Sequence, residues 1–230
     1  MKILAIDTST ATCTVGLVDG SDLVVESVDQ SGQTHARHIM VMLDEMLSQA
    51  KMSLEEVDGF GVITGPGTFT GLRIGISMVQ GLAYALSKPL AGITSLDALA
   101  AQAKTELAHI CPMVDARRQE VYYGFYELRT QGLRQTTPPQ VGSPAALLEQ
   151  IQEPCYFIGT GARMYRQLIT DTLRTGASFS AVDMDRIRSA VIARLAREHF
   201  ENTKDQELPV VAPVYIRRSD AEVNAHRPHR

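Results

Sequence analysis

A short polar segment, Asp7-Thr8-Ser9, follows the first apolar run of the chain and resembles a phosphate-binding turn in composition. In such turns hydroxyls and main-chain N–H groups bind phosphate oxygens, and a glycine lets the backbone approach the ligand. Ser9 stands where that glycine is expected, so a simple polar strand end explains the segment as well. The same two alternatives hold for Gly159 and Gly161, which lie at a second predicted strand-to-helix junction.

Two histidines, His35 and His38, lie three residues apart at the start of the first predicted long helix. This spacing places both imidazoles on one helix face, which raises the question of a metal site. Zinc and iron sites need three or more ligands, and no further His or Cys cluster follows nearby. We therefore expect a polar first turn and no bound metal.

The most informative stretch, residues 65–75, joins a predicted strand to a predicted helix through glycines and hydroxyls. A helix N-terminus of this kind can bind an anion, but the Lys-Ser/Thr ending of a P-loop is absent. The helix that follows has two apolar stripes, one for the core and one for a partner helix, unless both are buried within one chain. The candidate partner-interface residues are His35, His38, Met42, Met46, Leu72, Arg73, Ile76 and Val79.

A charged connection at residues 115–120 carries two basic and two acidic side chains between two predicted strands of the second half. It is either a solvated hairpin tip or a segment that faces an interlobe cleft or a partner. Asp115, Arg117 and Arg118 are its candidate contacts. No Ser-His-Asp, Cys-His or paired-carboxylate arrangement follows from local spacing, so we assign no catalytic residue.

The elements that position these residues follow a repeated βββαβα order. Apolar periodicity predicts strands at residues 3–6, 12–18, 23–28, 60–63, 89–93, 110–114, 121–128, 133–141 and 156–158, and helices at residues 35–50, 72–86, 95–107, 143–151, 162–173 and 190–200. We therefore expect a two-lobed α/β protein with a first lobe at residues 1–104, a second at 105–217 and a basic tail at 218–230.

Composition limits the function classes. The 230 residues carry a net charge of −4, and 44% hydrophobic against 21% charged residues is typical of a globular protein. The negative net charge disfavours nucleic-acid binding by the chain alone. The excess of acidic side chains lies in residues 1–104, which carry 6 basic and 11 acidic side chains, whereas residues 105–230 carry 16 basic and 15 acidic ones. Three scattered Cys and no long apolar run predict a reduced, cytoplasmic protein without a membrane segment.

Six segments together resemble the bacterial TsaB family, also called YeaZ. They are MKILAIDTST at residues 1–10, THARHI at 34–39, GPGTFTGLRIGIS at 65–77, VDARRQEVY at 114–122, IGTGA at 158–162 and APVYIRR at 212–218. The resemblance implies the actin-like (ASKHA) fold, a duplicated RNase H-like architecture. It also implies a role in making N6-threonylcarbamoyladenosine at position 37 of tRNAs.

The resemblance further implies partners. The catalytic relative TsaD transfers the threonylcarbamoyl group to tRNA, TsaE is an ATPase that docks on the TsaB–TsaD pair, and TsaC is functionally linked. This chain is then a scaffold that meets tRNA indirectly and forms a homodimer when alone.

TsaD carries an HxxxH metal pair, whereas His35 and His38 are one residue too close, and Ser9 replaces the expected glycine. Both departures favour a noncatalytic paralogue that binds no cofactor by itself, with ATP or ADP restricted to the complex interface. The alternatives are an ATP-dependent small-molecule kinase and a metallo-glycoprotease of the same fold.

Overall fold

The structure, a computed structural model, describes residues 1–31, 35–203 and 210–217, and side chains at residues 35–37 fall outside that description. The side chain of the predicted contact residue His35 and the predicted tail at residues 218–230 therefore lie outside the part that is described.

The first lobe is built on a five-stranded sheet of order β3-β2-β1-β4-β5. Its strands are β1 (Lys2–Asp7), β2 (Cys13–Asp19), β3 (Asp22–Asp29), β4 (Gly59–Gly65) and β5 (Leu90–Thr94), and its helices are α1 (His35–Ala50), α2 (Phe69–Leu86) and α3 (Ser95–Ala101). The first three strands form an antiparallel meander, and β4 and β5 add in parallel. The predicted βββαβαβα order of this half is confirmed.

The second lobe repeats the strand order as β10-β7-β6-β11-β12, with the hairpin β8–β9 attached to β6. Its strands are β6 (His109–Asp115), β7 (Val121–Tyr123), β8 (Tyr126–Arg129), β9 (Gly132–Gln135), β10 (Gln140–Gly142), β11 (Cys155–Ile158) and β12 (Ala177–Phe179). The helices in this half of the chain are α4 (Pro144–Leu148), α5 (Thr160–Met164), α6 (Arg166–Leu173) and α7 (Ser189–Asn202). The common strand order confirms the two-lobed α/β fold.

Three predicted elements of this half are in fact divided. The strand predicted at residues 133–141 is two strands, β9 and β10, because Pro138 and Pro139 between them have no N–H to donate to a ladder. The strand predicted at residues 121–128 is interrupted between β7 and β8, and the helix predicted at residues 162–173 is interrupted at Tyr165.

Helix α7 corrects the predicted lobe boundary. Although it follows the second lobe in the chain, it packs across β1, β2, β4 and β5 of the first sheet, with Ile192 and Ala196 fully buried. Gly16 and Gly61 permit this approach: a Cβ at Gly16 would lie 2.1 Å from Ser189 Oγ, and one at Gly61 3.0 Å from Ile192 Cγ2. The first sheet thus takes its second covering layer from the C-terminal part of the chain.

A cluster of hydrogen bonds fixes the start of α7 against the edge strand β3. The Ser189 N–H and hydroxyl donate to Glu26 Oε1 at 3.0 and 2.6 Å, and Arg186 Nη2 lies 3.0 Å from Glu26 Oε2. Burial raises the pKa of the Glu26 carboxyl, but these hydrogen bonds outweigh it and hold the pKa below its ordinary value. Glu26 is therefore an ionised anchor of α7.

Residues 210–217 return along the opening between the two lobes. The Val214 N–H donates to Thr64 O at 2.8 Å, and the Tyr215 ring stacks on Phe69 with centroids 4.9 Å apart. At the other end, Arg217 Nη1 donates to Ala116 O at 2.7 Å and the guanidinium pairs with Glu120. We call residues 210–217 the C-terminal strap, because they contact both lobes.

Candidate functional site

The predicted partner-interface residues on α1 and α2 are for the most part buried in the first lobe. Met42, Met46, Leu72, Ile76 and Val79 belong to its hydrophobic core, with at most 7% of each side chain exposed. The stripe they form faces the sheet, so these five residues are unavailable to a partner. Their prediction as partner contacts does not fit this burial, because the apolar stripe that they form is used by the core.

The outward side of the same two helices carries other apolar residues. Met40, Val41 and Tyr84 are exposed, the last by 72%, and Ile74 and Met78 are half-buried. Gly81 lies on the same side, and a Cβ built there meets no atom within 4 Å. We call this set of six residues the outer helix face. Large exposed apolar residues gathered on one face are typical of protein–protein contacts.

The two polar candidates near this face differ in their surroundings. His38 is half-buried within α1. The Arg73 guanidinium lies 3.8 Å from the centroid of the Phe69 ring, and its Nε donates to the Tyr215 hydroxyl at 2.9 Å. Arg73 therefore fixes the C-terminal strap as well as lying beside the outer helix face.

The groups of the first candidate phosphate turn are used inside the protein. The Ser9 N–H donates to Asp7 Oδ1 at 2.8 Å, the Thr8 hydroxyl donates to Gly71 O at 2.8 Å, and Ser9 O accepts from Thr68 N–H at 2.7 Å. All three residues of the turn are buried. A Cβ at Gly71 would lie 2.0 Å from Thr8 O, so the glycine-rich loop owes this glycine to contact with the turn.

The second candidate turn has a similar explanation. Gly159 adopts a φ of +106°, its N–H donates to Asp185 Oδ1 at 3.0 Å, and a Cβ there would lie 2.4 Å from Met113 O. A Cβ at Gly161 would lie 3.0 Å from both Met113 Cβ and Val121 Cγ1. Both glycines therefore allow the turn to pack closely against β6 and β7.

The charged connection at residues 115–120 is held in a strained form. Arg117, Arg118 and Gln119 all have left-handed φ angles, between +53° and +60°, which cost side-chain-bearing residues about 1 kcal/mol each. The Arg117 N–H donates to Asp115 Oδ1 at 2.8 Å, and the Ala116 N–H donates to Glu120 O at 3.0 Å. With Arg217 of the strap bound to Ala116 O, these bonds fix the position of the loop.

Between the two lobes lies a cleft of about 310 Å³, which we call the interlobe cleft. It brings together three predicted residues, Ser9, Asp115 and Arg117, but not Asp7, Thr8, Gly159, Gly161 or Arg118. The other residues that line it are Thr10, Ala11, Thr68, Val114, Thr160, Arg163 and Met164. Arg163 was missed, although it directly follows the IGTGA segment that the sequence singled out.

One hydroxyl at this cleft lacks a hydrogen bond. Ser9 is fully buried, and its Oγ has no partner among the described residues. Burying such a group without a partner costs roughly 1–3 kcal/mol. The buried Ser9 hydroxyl therefore lowers the stability of the folded protein.

The three cysteines have no reactive character. Burial raises the pKa of both Cys13 and Cys155 to about 12, and burial also raises the pKa of Cys111. Thiols in this state are neutral at physiological pH and are poor nucleophiles and metal ligands. Within the described ranges, no group of three or more His, Cys, Asp or Glu side chains could hold a metal ion, and no helix is long and apolar enough to cross a bilayer.

The sequence is similar to those of known proteins. The sequence profile described as TsaD, tRNA N6-adenosine threonylcarbamoyltransferase, matches residues 29–225. The tRNA threonylcarbamoyladenosine biosynthesis protein TsaB of Bacillus subtilis is 30% identical over 225 residues, 96% of each chain, and that of Haemophilus influenzae 31% over 230 residues, 94% of each chain.

Solved structures agree. YeaZ from Pseudomonas aeruginosa superimposes with a TM-score of 0.76 at 29% identity over 93% of this chain and 99% of that one. The activator of the 2-hydroxyisocaproyl-CoA dehydratase from Clostridium difficile, at 11% identity and a TM-score of 0.55 over 90% of this chain and all of that one, shares the fold. These likenesses, together with the duplicated sheets, confirm the resemblance seen in the sequence: the chain belongs to the TsaB (YeaZ) family.

Proposed function

We propose that this chain is a noncatalytic subunit in tRNA threonylcarbamoyladenosine biosynthesis and that it binds TsaD through the outer helix face. The pathway is the one for which its relatives in Bacillus subtilis and Haemophilus influenzae are named. The observation that carries the proposal is the apolar outer surface of α1 and α2. Met40, Val41 and Tyr84 on it are exposed, while Ile74 and Met78 pack against the core of the first lobe with part of each side chain exposed.

The outer helix face has the features of a helix-pairing surface. Met40, Val41 and Tyr84 supply apolar area, and the open space at Gly81 allows a second helix to come close to α2. A surface of this kind pairs with a similar one, because two helix pairs of matching shape bury their apolar residues together. The paralogue TsaD would supply the matching helices, and a second copy of this chain would do so when TsaD is absent.

Three features support a noncatalytic role. The turn at Asp7-Thr8-Ser9 spends its hydroxyl and N–H groups on the protein's own backbone and side chains, the cysteines are neutral, and the His35/His38 spacing differs from the HxxxH pair of TsaD. A kinase of this fold would need the first of these for phosphate, and a metallo-glycoprotease would need the last for metal. Docking of TsaE, the functional link to TsaC, indirect contact with tRNA and ATP or ADP at the complex interface remain expectations from the family.

Reconstitution tests the role. TsaC, TsaD and TsaE are combined with tRNA, ATP, threonine and bicarbonate, with and without this chain, and threonylcarbamoyladenosine is measured by mass spectrometry of digested tRNA. We expect formation of the modified nucleoside to require the chain. Equal formation without it contradicts the proposal.

A charge on the outer helix face tests the surface. Met40→Glu combined with Tyr84→Glu places two carboxylates in the contact. Because these residues are 50% and 72% exposed, we expect co-purification with TsaD to be lost while the thermal unfolding midpoint stays unchanged. Met164→Glu is the matched control, because Met164 is an apolar residue 59% exposed on the second lobe. If the double variant still binds TsaD as the control does, the outer helix face is not the interface.

A further inference from the structure

We propose that Arg73, held in place by Phe69 and by Tyr215 of the C-terminal strap, binds a carboxylate side chain of TsaD. The strap then has a second role besides joining the lobes, because it positions a residue that binds the partner. The inference rests on the proposed function and deepens it: the outer helix face supplies the apolar contact, and Arg73 supplies a charged contact beside it.

Arg73 lies on a row of exposed α2 residues that leads into the outer helix face. Phe69, Arg73, Ser77 and Gly81 follow one another at intervals of four residues, and all four are exposed. Residues at this spacing lie on one side of an α-helix. Gly81 belongs to the outer helix face, and Arg73 lies about 12 Å from it along α2, at the helical rise of about 1.5 Å per residue. A partner helix that lies along α2 therefore reaches Arg73.

The Arg73 guanidinium is fixed by two aromatic residues. Its central carbon, Cζ, lies 3.8 Å from the centroid of the Phe69 ring and 5.9 Å from that of the Tyr215 ring. The Arg73 Nε donates to the Tyr215 hydroxyl at 2.9 Å, and the two rings stack on each other with centroids 4.9 Å apart. Because the side chain is already ordered, binding a ligand costs it less conformational entropy than it would cost a free arginine.

The two terminal nitrogens of Arg73 remain for a ligand. The Nε is used by Tyr215, whereas neither Nη atom has a hydrogen-bond or ion-pair partner among the described residues. A guanidinium presents parallel N–H donors whose spacing matches the two oxygens of a carboxylate. The group that fits Arg73 is therefore the side chain of an aspartate or glutamate.

The surroundings of Arg73 favour a protein ligand over a free small carboxylate. Phe69 and Tyr215 are 38% and 41% exposed, so two aromatic rings lie open beside the cation. Aromatic residues and arginine contribute much of the binding energy at protein–protein contacts, where the partner covers the rings and removes water from the ion pair. A free carboxylate ion would leave both rings in water.

The strap is anchored on both sides of Tyr215. The Val214 N–H donates to Thr64 O at 2.8 Å, and Arg217 Nη1 donates to Ala116 O at 2.7 Å. These two bonds hold the tyrosine over α2 before any partner arrives. Tyr215 is thus a positioning residue that acts through Arg73.

Isothermal titration calorimetry of TsaD with this chain, at about 50 mM and about 500 mM NaCl, tests the ion pair. We expect Arg73→Gln to weaken binding about tenfold at the lower salt concentration and to remove most of the salt dependence, because a charged pair is lost. Arg73→Lys keeps the charge without the planar pair of donors and should weaken binding about fivefold. Arg134→Gln is the matched control: it changes an exposed arginine on β9 of the second lobe and should leave the affinity unchanged.

Tyr215→Phe tests the positioning role of the strap. The change keeps the aromatic stack and removes the hydroxyl that accepts from Arg73 Nε. We expect about threefold weaker binding to TsaD with an unchanged thermal unfolding midpoint. In the Arg73→Gln background the same change should have no further effect, because the hydroxyl acts only through the guanidinium.

Two results would overturn the inference. The first is binding of TsaD by Arg73→Gln as tight as by Arg134→Gln, which would mean that the outer helix face binds the partner without Arg73. The second is an equal loss of affinity from Tyr215→Phe with and without Arg73, which would mean that the strap does not act through the arginine. Failure of the proposed function gives a different result, since the unchanged chain then does not bind TsaD at either salt concentration and the inference falls with it.

Discussion

The central strands of the two lobes end in the same turn but in opposite surroundings. β1 ends at Asp7 and β6 ends at Asp115, and in each case the carboxylate accepts the N–H two residues later at 2.8 Å. Ser9, after the first turn, is fully buried, whereas the Arg117 side chain, after the second, is 76% exposed.

The two turns differ in exposure because different segments of the chain pack against them. The glycine-rich loop before α2 covers the first turn and hydrogen-bonds to it through Thr68. At the second turn, Arg217 of the strap donates to Ala116 O, and the side chains of Arg117 and Arg118 are exposed. The duplicated fold thus buries one turn beneath a loop and leaves the other exposed.

The largest expected effect on stability tests whether helix α7 belongs to the first lobe. Ile192→Ala on α7 should lower the free energy of unfolding by about 3 kcal/mol, because it empties a fully buried position against the first sheet. Hydrogen exchange should then increase in β1 and β4. The matched change Ile169→Ala, buried in the second lobe, should increase exchange in β6 and β11 instead. The opposite assignment of the affected strands would mean that α7 belongs to the second lobe.

The second effect compares the two turns directly. Asp7→Ala leaves the buried Ser9 N–H without its acceptor and should cost about 2 kcal/mol, whereas Asp115→Ala, near solvent, should cost about 0.5 kcal/mol. Urea denaturation of both variants measures the difference. Equal losses would show that the covering loop does not distinguish the turns.

The third effect is a pH dependence at the start of α7. Because the Glu26 pKa is lowered in the folded protein, Glu26 stabilises the fold fully above its ordinary pKa of about 4.3 and loses this contribution as the pH falls through the lowered value. Glu26→Gln should cost about 1 kcal/mol at pH 7, and its deficit should shrink below pH 4. Thermal midpoints of both proteins between pH 7 and pH 3 give the comparison. A deficit independent of pH would mean that the Glu26 charge is not what holds α7.

The smallest effect concerns the strap that joins the lobes. Tyr215→Ala removes the stack on Phe69 and the hydrogen bond from Arg73, and should cost about 0.5 kcal/mol because the site is partly exposed. Hydrogen exchange at residues 210–217 should rise without change in the strands. Tyr165→Ala, a change in a half-buried tyrosine of the second lobe, should leave the strap unaffected. A rise in β1 or β6 after Tyr215→Ala would assign the strap a larger structural role.

The strand and helix order of the first lobe was predictable because its elements are long and strongly periodic. The stripes of α2 show where such reasoning ends. Both Leu72/Ile76 and Ile74/Met78 are apolar at helical spacing, so the period defines two faces without saying which one meets the sheet. Only the packed structure shows that the first is core and the second is half exposed.

Contacts between residues that are far apart in the chain could not be predicted from the sequence, for a different reason. The interlobe cleft joins Ser9 to Arg163, and α7 joins Ser189 to Gly16, across long separations in the chain. Local spacing carries no information about such contacts. Gly159 and Gly161 were predicted as candidate phosphate-binding residues for the same reason. The strand whose close packing requires these glycines, β6, lies far earlier in the chain.

The position of α7 has a consequence for synthesis of the protein on the ribosome. The strands of the first sheet are made first, yet the helix that covers one face of that sheet leaves the exit tunnel only after the strands of the second lobe. Until then the nascent chain exposes the apolar surface around Gly61, which invites chaperone binding or aggregation. The two lobes, although copies in topology, therefore cannot mature one after the other: the first lobe is finished only after the second has been translated.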